Sequence, residues 1–287
     1  MSDAPASVSA GSASRGEPLV YDSARRPPRW IEEAVQLWKY RGLVYELIIR
    51  DLKVRYKRSV LGMLWTMLAP LLNMIALTLV FSAILKTAIQ NYPVYFMSGS
   101  IFWTFFAQTS SSAASQTMAS NELAKRMFVP RSVFIASAVG GGLVNLALSI
   151  IPLILILAVT GFPLHATWAF LPVSILITTL FTAGVSLILF TLASRFADIR
   201  EMYLVLVQTW FFLTPIVYHP SIVPFRYRLA LWLNPMYYLV QVFRKPIYDG
   251  VIPSPGLLLA SFGLSLAVLI TGWVFFCHRS DNMAYWS

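Results

Sequence analysis

The stretch that decides the fold runs from residue 132 to 194 and reads SVFIASAVGGGLVNLALSIIPLILILAVTGFPLHATWAFLPVSILITTLFTAGVSLILFTLAS. It contains no Lys, Arg, Asp or Glu. It is also more than twice as long as the roughly 20 apolar residues that a helix needs to cross a bilayer. Gly161 and Pro163 interrupt the run near its middle, where two consecutive spans need a break. The sequence therefore predicts two transmembrane helices here, over about 132–160 and 167–194.

Four further uncharged runs are each long enough for one crossing, at 59–85, 87–121, 202–225 and 250–278. The spans predicted within them cover about 60–85, 94–118, 202–218 and 256–277. Hydrophobic residues make up 57% of the chain and charged residues only 12%, which excludes an ordinary soluble globule. The predicted fold class is an all-α integral membrane protein with six transmembrane helices, over residues 59–277.

Basic residues predict the orientation of these spans. Of the 22 Lys and Arg residues, eleven precede the first span, and the cluster from Arg50 to Arg58 directly abuts it. Positive charge beside a span is retained in the cytoplasm, so six crossings place both termini there. Seventeen basic residues then lie inside and five outside. The net charge of +10 thus follows membrane topology, and no nucleic-acid partner is expected.

The chain before the first span is predicted to contain two parts. Residues 1–29 are rich in Ser, Ala, Gly, Pro and Arg, which is typical of a disordered cytoplasmic tail, and 278–287 form a second tail. Residues 30–58 are predicted to form an amphipathic interface helix and a basic lead-in, because the apolar residues from 30 to 38 share one arc of a helical wheel. Packing of this helix on protein is the alternative, and both can hold at once. The predicted membrane-interface residues are Trp30, Trp38, Arg50, Lys53 and Arg55.

The inside connection between the second and third spans, residues 121–131, reads NELAKRMFVPR. Asn121 can cap a helix and Glu122 suits its first turn. Lys125 and Arg126 suit the last turn, and Pro130 stops the helix. We therefore expect a short polar helix on the cytoplasmic side.

The outside segment 219–255 contains two apolar pieces, 229–233 and 236–243, separated by Asn234-Pro235. Neither piece is long enough to span a bilayer. Their aromatic content favours two short re-entrant helices in the outer leaflet, because a plain extracellular loop this apolar would be poorly solvated. Arg244 is expected near the outer surface, at the end of the second piece.

Two features of the spans concern chemistry. Aromatic residues are concentrated in the outer part of span two, and they fit interfacial packing and a ring-lined path through the protein equally well. The chain has no phosphate-binding loop, no H-E-x-x-H, no G-x-S-x-G and a single cysteine, Cys277, so no catalytic residue and no metal site are predicted.

Several separated motifs, in the right order, resemble the permease subunits of type-two ABC exporters. They are IIRDLKVRYKRSVLGMLW at 48–65, NELAKRMFVPR at 121–131, ADIREMY at 197–203, TPIVY at 214–218 and LNPMYYL at 233–239. In this resemblance they correspond to the entry to span one, the cytoplasmic coupling helix, the entry to and exit from span five, and the re-entrant gate.

The branch that the chain resembles most exports bacterial surface polysaccharides and polyol phosphates, such as O-antigen or teichoic acid. The resemblance implies a channel-forming permease of the bacterial inner membrane that pairs with a second copy of itself and moves a lipid-linked polymer outward. It also implies two ATP-binding subunits that hold ATP and Mg, so this chain would be no enzyme. The coupling residues it implies are Asn121, Glu122, Lys125, Arg126, Pro130 and Arg131. The channel or gate residues are Tyr95, Phe102, Trp103, Phe106, Asn234, Pro235, Tyr237, Tyr238 and Arg244.

Three alternatives carry less support. An ABC-type exporter of another amphipathic lipid or drug would share the same architecture. A membrane-embedded enzyme acting on lipid-linked sugars would need acidic or His residues at a membrane face, where the outside offers little. A secondary transporter is expected to carry an inverted repeat and ionisable residues inside its spans, and the sequence shows neither.

Overall fold

The structure is a computed structural model that describes residues 28–57, 62, 64–84, 89–118, 120 and 129–279. Every regular element in these ranges is helical, which confirms the all-α class. The α-helices are α1 (Arg29–Lys39), α2 (Arg41–Tyr56), α3 (Leu64–Thr78), α4 (Tyr92–Ser115), α5 (Ser132–Thr160), α6 (Leu171–Arg195), α7 (Ile199–Leu213), α8 (Arg228–Trp232), α9 (Pro235–Arg244) and α10 (Pro255–Arg279). Short π segments follow α3 and α9, at Leu79–Ile84 and Lys245–Asp249.

Three helices in the described ranges are long and apolar enough to cross a membrane. They are α5, α6 with its 3-10 lead-in from Ala166, and α10, and they coincide with the spans expected at 132–160, 167–194 and 256–277. The break expected between the first two is present, because Gly161 ends α5 in the left-handed conformation with φ 66°. The chain is therefore membrane-embedded, while the number of crossings stays a prediction.

Helix α7 is shorter than the fifth predicted span, because it ends at Leu213 rather than near residue 218. Pro215 explains the difference, since the residue before a proline is pushed out of the helical region of backbone space. Thr214 accordingly has an extended backbone, with φ −99° and ψ 133°. An irregular segment therefore replaces the last turn of the predicted helix.

Helix α4 lies at the centre of the molecule and packs against α3, α5, α6, α7 and α9. Its buried side chains include several large aromatic ones, so it forms the main part of the hydrophobic core.

Helices α6 and α10 pack with their backbones in close contact. A Cβ atom added at Gly272 would lie 2.4 Å from the Gly184 oxygen, so glycine is required at this contact between two backbones.

Helix α1 packs on the rest of the protein through one side only. Leu37 packs against a second core cluster, and the Trp273 indole donates a hydrogen bond to the Trp30 oxygen at 3.3 Å. The rings of Trp30 and Trp38 remain 56% and 73% exposed. Both alternatives for this helix are thus compatible with the structure, and its membrane-interface role stays a prediction. Arg50 and Lys53 are exposed, and the Arg55 side chain lies outside the described part.

Most of the predicted coupling helix cannot be compared with the structure, because residues 121–128 lie outside the described residues. The same holds for most of the predicted tails, 1–29 and 278–287, because residues 1–27 and 280–287 also lie outside the described residues. Pro130 and Arg131, at the end of the coupling segment, are described and lead directly into α5.

Candidate functional site

The first notable polar feature is the irregular segment 213–218, which begins at the last residue of α7, and we call it the capped segment. Thr214 and Ile216 are 0% exposed, and Val217 is 6% exposed. A buried backbone without helical hydrogen bonds must find donors elsewhere, because each unpaired carbonyl is costly. The neighbouring helices supply these donors.

The last four carbonyls of the capped segment are bound by three side chains. Arg244 donates from Nη1 to the Pro215 oxygen at 2.8 Å and from Nη2 to the Ile216 oxygen at 3.1 Å. The Tyr92 hydroxyl donates to the Val217 oxygen at 2.9 Å. The Tyr95 hydroxyl donates to the Tyr218 oxygen, also at 2.9 Å. Side chains from α4 and α9 therefore hold this end of the segment in one conformation.

The first two carbonyls of the capped segment are satisfied differently. Asn234 donates from Nδ2 to the Leu213 oxygen at 3.3 Å, and the Ile216 amide donates to the Thr214 oxygen at 2.7 Å. All six consecutive carbonyls thus have a donor. This degree of satisfaction is expected of irregular backbone inside a membrane protein.

Arg244 is the central residue of this arrangement. Its guanidinium carbon lies 3.9 Å from the centroid of the Tyr95 ring, and the side chain is 6% exposed. The ring face and two carbonyl oxygens offset the cost of burying its positive charge. Gly99 makes room for it, because a Cβ atom there would lie 2.2 Å from Nη2. The side chain expected near the outer surface is therefore buried inside the protein.

Asn234 connects the two short helices α8 and α9 to the capped segment. Its side-chain oxygen accepts from the Met236 amide at 3.0 Å, which caps the start of α9, and from the Trp210 indole at 2.9 Å. Its Nδ2 also donates to the Thr214 hydroxyl at 3.1 Å. Pro235 occupies the first turn of α9, where its missing N–H costs nothing. The break predicted at Asn234-Pro235 is thus the junction between α8 and α9.

The predicted channel residues of α4 lie inside the protein core. Phe102 and Phe106 are 0% exposed and Trp103 is 6% exposed. The Trp103 ring meets the Trp210 ring edge to face at a centroid distance of 6.1 Å. Phe102 lies 6.0 Å from Phe243 of α9, again between ring centroids. This geometry gives the three side chains a packing role within one chain, and their role in a channel stays a prediction.

Tyr237 and Tyr238 lie in a different environment from these core residues. Both line an open cleft at the start of α9, together with Trp232 and Lys245. The Tyr238 hydroxyl donates to the Trp232 oxygen at 2.8 Å, which joins α9 to α8. These two predicted gate residues are therefore half-buried, whereas the predicted channel residues of α4 lie in the core.

On the coupling side, Glu33 of α1 links the first helix to the end of the coupling segment. Ser132 donates a hydrogen bond from its hydroxyl to the Glu33 carboxylate at 3.0 Å. Burial lowers the pKa of Arg131, and the negative charge of Glu33 acts in the opposite direction. The amphipathic helix and the entry to α5 are thus connected by charge.

A cavity of about 540 Å³ between α3, α4 and α5 is the second polar feature, and we call it the polar cavity. This cavity was not predicted from the sequence. Seven of its lining residues carry an amide or hydroxyl group: Asn73, Ser100, Thr104, Gln108, Thr109, Asn145 and Ser149. Ser100, Thr104 and Gln108 are spaced four residues apart, so they share one face of α4.

Part of the hydrogen-bonding capacity in the polar cavity is unused. The Thr109 hydroxyl is buried and has no partner among the described residues. The side chains of Asn73 and Gln108 are exposed, and they make no hydrogen bond within the same ranges. No Lys, Arg, Asp or Glu is present among the described residues that line this cavity.

A narrower cleft continues from the polar cavity toward α2. Gln108 lines both spaces, and Gln116 and Asp51 line the cleft. Gln116 donates to the Asp51 carboxylate at 3.0 Å, and it accepts from the Ser137 hydroxyl at 3.3 Å. The polar side chains at 100, 104, 108 and 112 therefore form a row along α4, and Gln116 just past its end continues this row.

Similarity to known proteins shows which family the chain belongs to. The sequence profile of the ABC-2 type transporter family matches residues 42–248. The chain belongs to the ABC-2 type transporter family. This result confirms the resemblance that the sequence motifs indicated.

Curated relatives of this ABC-2 protein are permeases and transport proteins. The chain is 32% identical over 253 residues to the O-antigen export system permease protein RfbA of Myxococcus xanthus, which covers 87% of this chain and 96% of the relative. A Klebsiella pneumoniae protein of the same name is 27% identical over 238 residues, or 78% and 92% of the two chains. The polysialic acid transport protein KpsM of Escherichia coli is 24% identical over 251 residues, or 84% and 94%. The matched family range contains both the capped segment and the polar cavity.

Proposed function

We propose that this ABC-2 permease forms the membrane channel of an ATP-driven exporter that carries a lipid-linked polysaccharide outward across the bacterial inner membrane. The names of its relatives support a polysaccharide substrate. The observation that carries the proposal is the polar cavity. Amide and hydroxyl groups within apolar helices are expensive unless they face a bundle interior or a water-filled path, so unused ones indicate a substrate pathway.

The proposed permease crosses the membrane six times. Helices α5, α6 and α10 supply three crossings, and α3, α4 and α7 supply the others. Helix α4 has 24 residues, a length of about 36 Å at the helical rise per residue. Helix α7 has 15 residues and is too short alone, so the capped segment completes its crossing. The full set of donors to the capped segment supports a position at membrane depth.

The outer end of the channel is closed by α8 and α9, which act as re-entrant half-helices. Asn234 and Arg244 attach both helices to the capped segment through the hydrogen bonds described above. The half-buried rings of Tyr237 and Tyr238 face the exit, where they contact the emerging chain. Pro235→Ala loosens the junction, and we expect it to change export or ion leak in an assembled transporter.

Energy reaches this permease from partner subunits. We assign two copies of an ABC ATP-binding subunit, which hold ATP and Mg, beneath a pair of permease chains. We assign residues 121–131 as the segment that receives this energy, with Lys125 and Arg126 supplying its polar contacts. Reversing both charges to Glu should weaken co-purification of the ATPase or uncouple hydrolysis from export. Replacing both with Gln is the matched control, because neutral side chains at these positions should suffice if the charges only anchor the loop.

The orientation is tested by labelling single cysteines with a membrane-impermeant thiol reagent in a Cys277→Ala background. Met118 and Ser254 are suitable positions because both are exposed, and they lie at opposite predicted ends of the protein. We expect labelling of Met118→Cys from the cytoplasm and of Ser254→Cys from outside. Labelling of both from one side would overturn the topology.

The export function is tested by deleting the gene in its native bacterium. Lipid-linked glycan should then accumulate in the cytoplasm and disappear from the cell surface, and the gene supplied in trans should restore both. An unchanged surface glycan profile contradicts the proposal. Accumulation of a different amphipathic lipid would reassign the substrate.

A further inference from the structure

We infer that the polar cavity binds an uncharged, hydroxyl-rich glycan chain and discriminates against anionic polymers. The inference rests on the proposed export function and adds the class of substrate. It follows from the side chains that line the cavity and from the charge that they lack.

The polar groups of the cavity suit sugar hydroxyls. A side-chain amide both donates and accepts hydrogen bonds, and a hydroxyl group does the same. Asn73, Gln108 and Asn145 extend from three different helices, so a chain between them meets amides on three sides. Neutral bonds of this kind are individually weak, which lets a polymer exchange partners as it moves.

The apolar part of the lining is also suited to sugars. Trp65, Phe96, Phe105 and Phe211 contribute aromatic rings to the cavity wall. Mainly apolar walls with a few placed polar groups are typical of ligand sites. The volume of about 540 Å³ falls within the usual range for such sites, about 300–1,000 Å³.

The same lining is unfavourable for an anion. A carboxylate or phosphate in an apolar interior needs a positive partner, since the cost of burying an unpaired charge is large. The described lining residues offer no Lys or Arg. Asp51 in the adjoining cleft is negative, and it is already paired with Arg50 at 2.9 Å and bonded to Gln116. An acidic polymer would therefore meet no compensating positive charge among the described residues that line the cavity.

The inference is tested by comparing the export of two lipid-linked polymers with the same backbone. One polymer is neutral, and the other carries a single uronate per repeat. Cells express the permease with its ATPase, and surface display per assembled transporter is measured. We expect the neutral polymer to be exported at least about tenfold faster, given the cost of a charged group at membrane depth. This comparison needs no variant, so it holds even where a substitution impairs assembly.

Two substitutions of one residue locate the selectivity in the cavity. Gln108→Glu keeps the size and adds a negative charge, and it should lower export of the neutral polymer about tenfold. Gln108→Lys should narrow the preference for the neutral polymer. Gln90→Glu is the matched control, because Gln90 is exposed at the outer end of the protein, away from the cavity, and export should be unchanged.

The outcomes are separable. Equal export of both polymers by the wild type, or unchanged neutral export by Gln108→Glu, overturns the inference and leaves the proposed function intact. Export of neither polymer by an assembled transporter with active ATPase overturns the proposed function itself.

Discussion

The capped segment and the polar cavity are both polar regions surrounded by apolar helices, yet they differ in how many of their polar groups have a hydrogen-bond partner. In the capped segment six consecutive carbonyls each have a donor. In the polar cavity the Thr109 hydroxyl has none among the described residues, and Asn73 and Gln108 form no bond there. Irregular backbone whose carbonyls all have donors stabilises the protein, whereas side chains with spare hydrogen-bonding capacity are suited to bind something else.

This difference has a physical basis in the cost of unpaired groups. When a donor is removed from a buried hydrogen-bond network, its acceptor is left without a hydrogen bond, and the fold is destabilised. Removing a group that has no protein partner creates no orphan, so stability changes little. Substitutions in the two regions should therefore separate stability from transport.

The largest effect on stability is expected from Arg244→Met. Two carbonyls lose their donors at about 1–3 kcal/mol each, so the free energy of unfolding should fall by about 2–6 kcal/mol. Thermal unfolding of the detergent-solubilised protein measures the loss. Lys245→Met is the matched control, since Lys245 is only half-buried and its side chain forms no hydrogen bond within the described part. Equal unfolding temperatures for the two variants would show that Arg244 does not hold the segment.

A smaller loss is expected from Gly99→Ala, which leaves Arg244 in place but displaces it. The added methyl group would overlap Nη2, so the guanidinium must move away from its two carbonyls. We expect destabilisation of about 1–3 kcal/mol, as for other overpacked sites. Gly263→Ala in α10 has open space within 4 Å, and it should be neutral or stabilising by up to about 1 kcal/mol. A stable Gly99→Ala protein would contradict the close packing.

Tyr92→Phe should have a smaller effect again, because it removes a single hydrogen bond. The Val217 oxygen then lacks its donor, at about 1–2 kcal/mol. Tyr95→Phe should cost a similar amount through the Tyr218 oxygen while keeping the ring beneath Arg244. A double variant with Arg244→Met measures the coupling. Additive losses would contradict a shared network.

The smallest effect on stability is expected from Gln108→Leu in the polar cavity. Its side chain has no bond to lose within the described ranges, so the free energy of unfolding should change by less than about 0.5 kcal/mol or rise. Asn73→Leu should behave in the same way. A loss as large as that of Tyr92→Phe would mean that the cavity amides are structural.

Much of the helical architecture could be predicted from the sequence. The uncharged run at 132–194 and its Gly161 break correspond to α5 and α6, because apolar length and a helix stop are local signals. The Asn234-Pro235 break likewise predicted the junction of α8 and α9, since a cap and a proline act on adjacent residues.

The sites were harder to predict because they depend on contacts between distant residues. Arg244 lies 29 residues from the Pro215 carbonyl that it binds, and no local sequence pattern predicts that contact. The burial of Phe102 and Phe106 likewise depends on where α6, α7 and α9 pack. The polar row on α4 was detectable, since its four-residue spacing in an apolar run is a helical pattern.

The most direct test compares polysaccharide export per assembled transporter between Gln108→Leu and the wild type. It asks whether the capped segment is structural and the polar cavity is the transport path. The amount of permease bound to its ATPase and the unfolding temperature are measured in the same preparations. We expect Gln108→Leu to assemble and unfold like the wild type while its export falls about tenfold, because the passing chain loses an amide partner at membrane depth. Wild-type export per transporter in this variant would contradict the assignment of the polar cavity as the path.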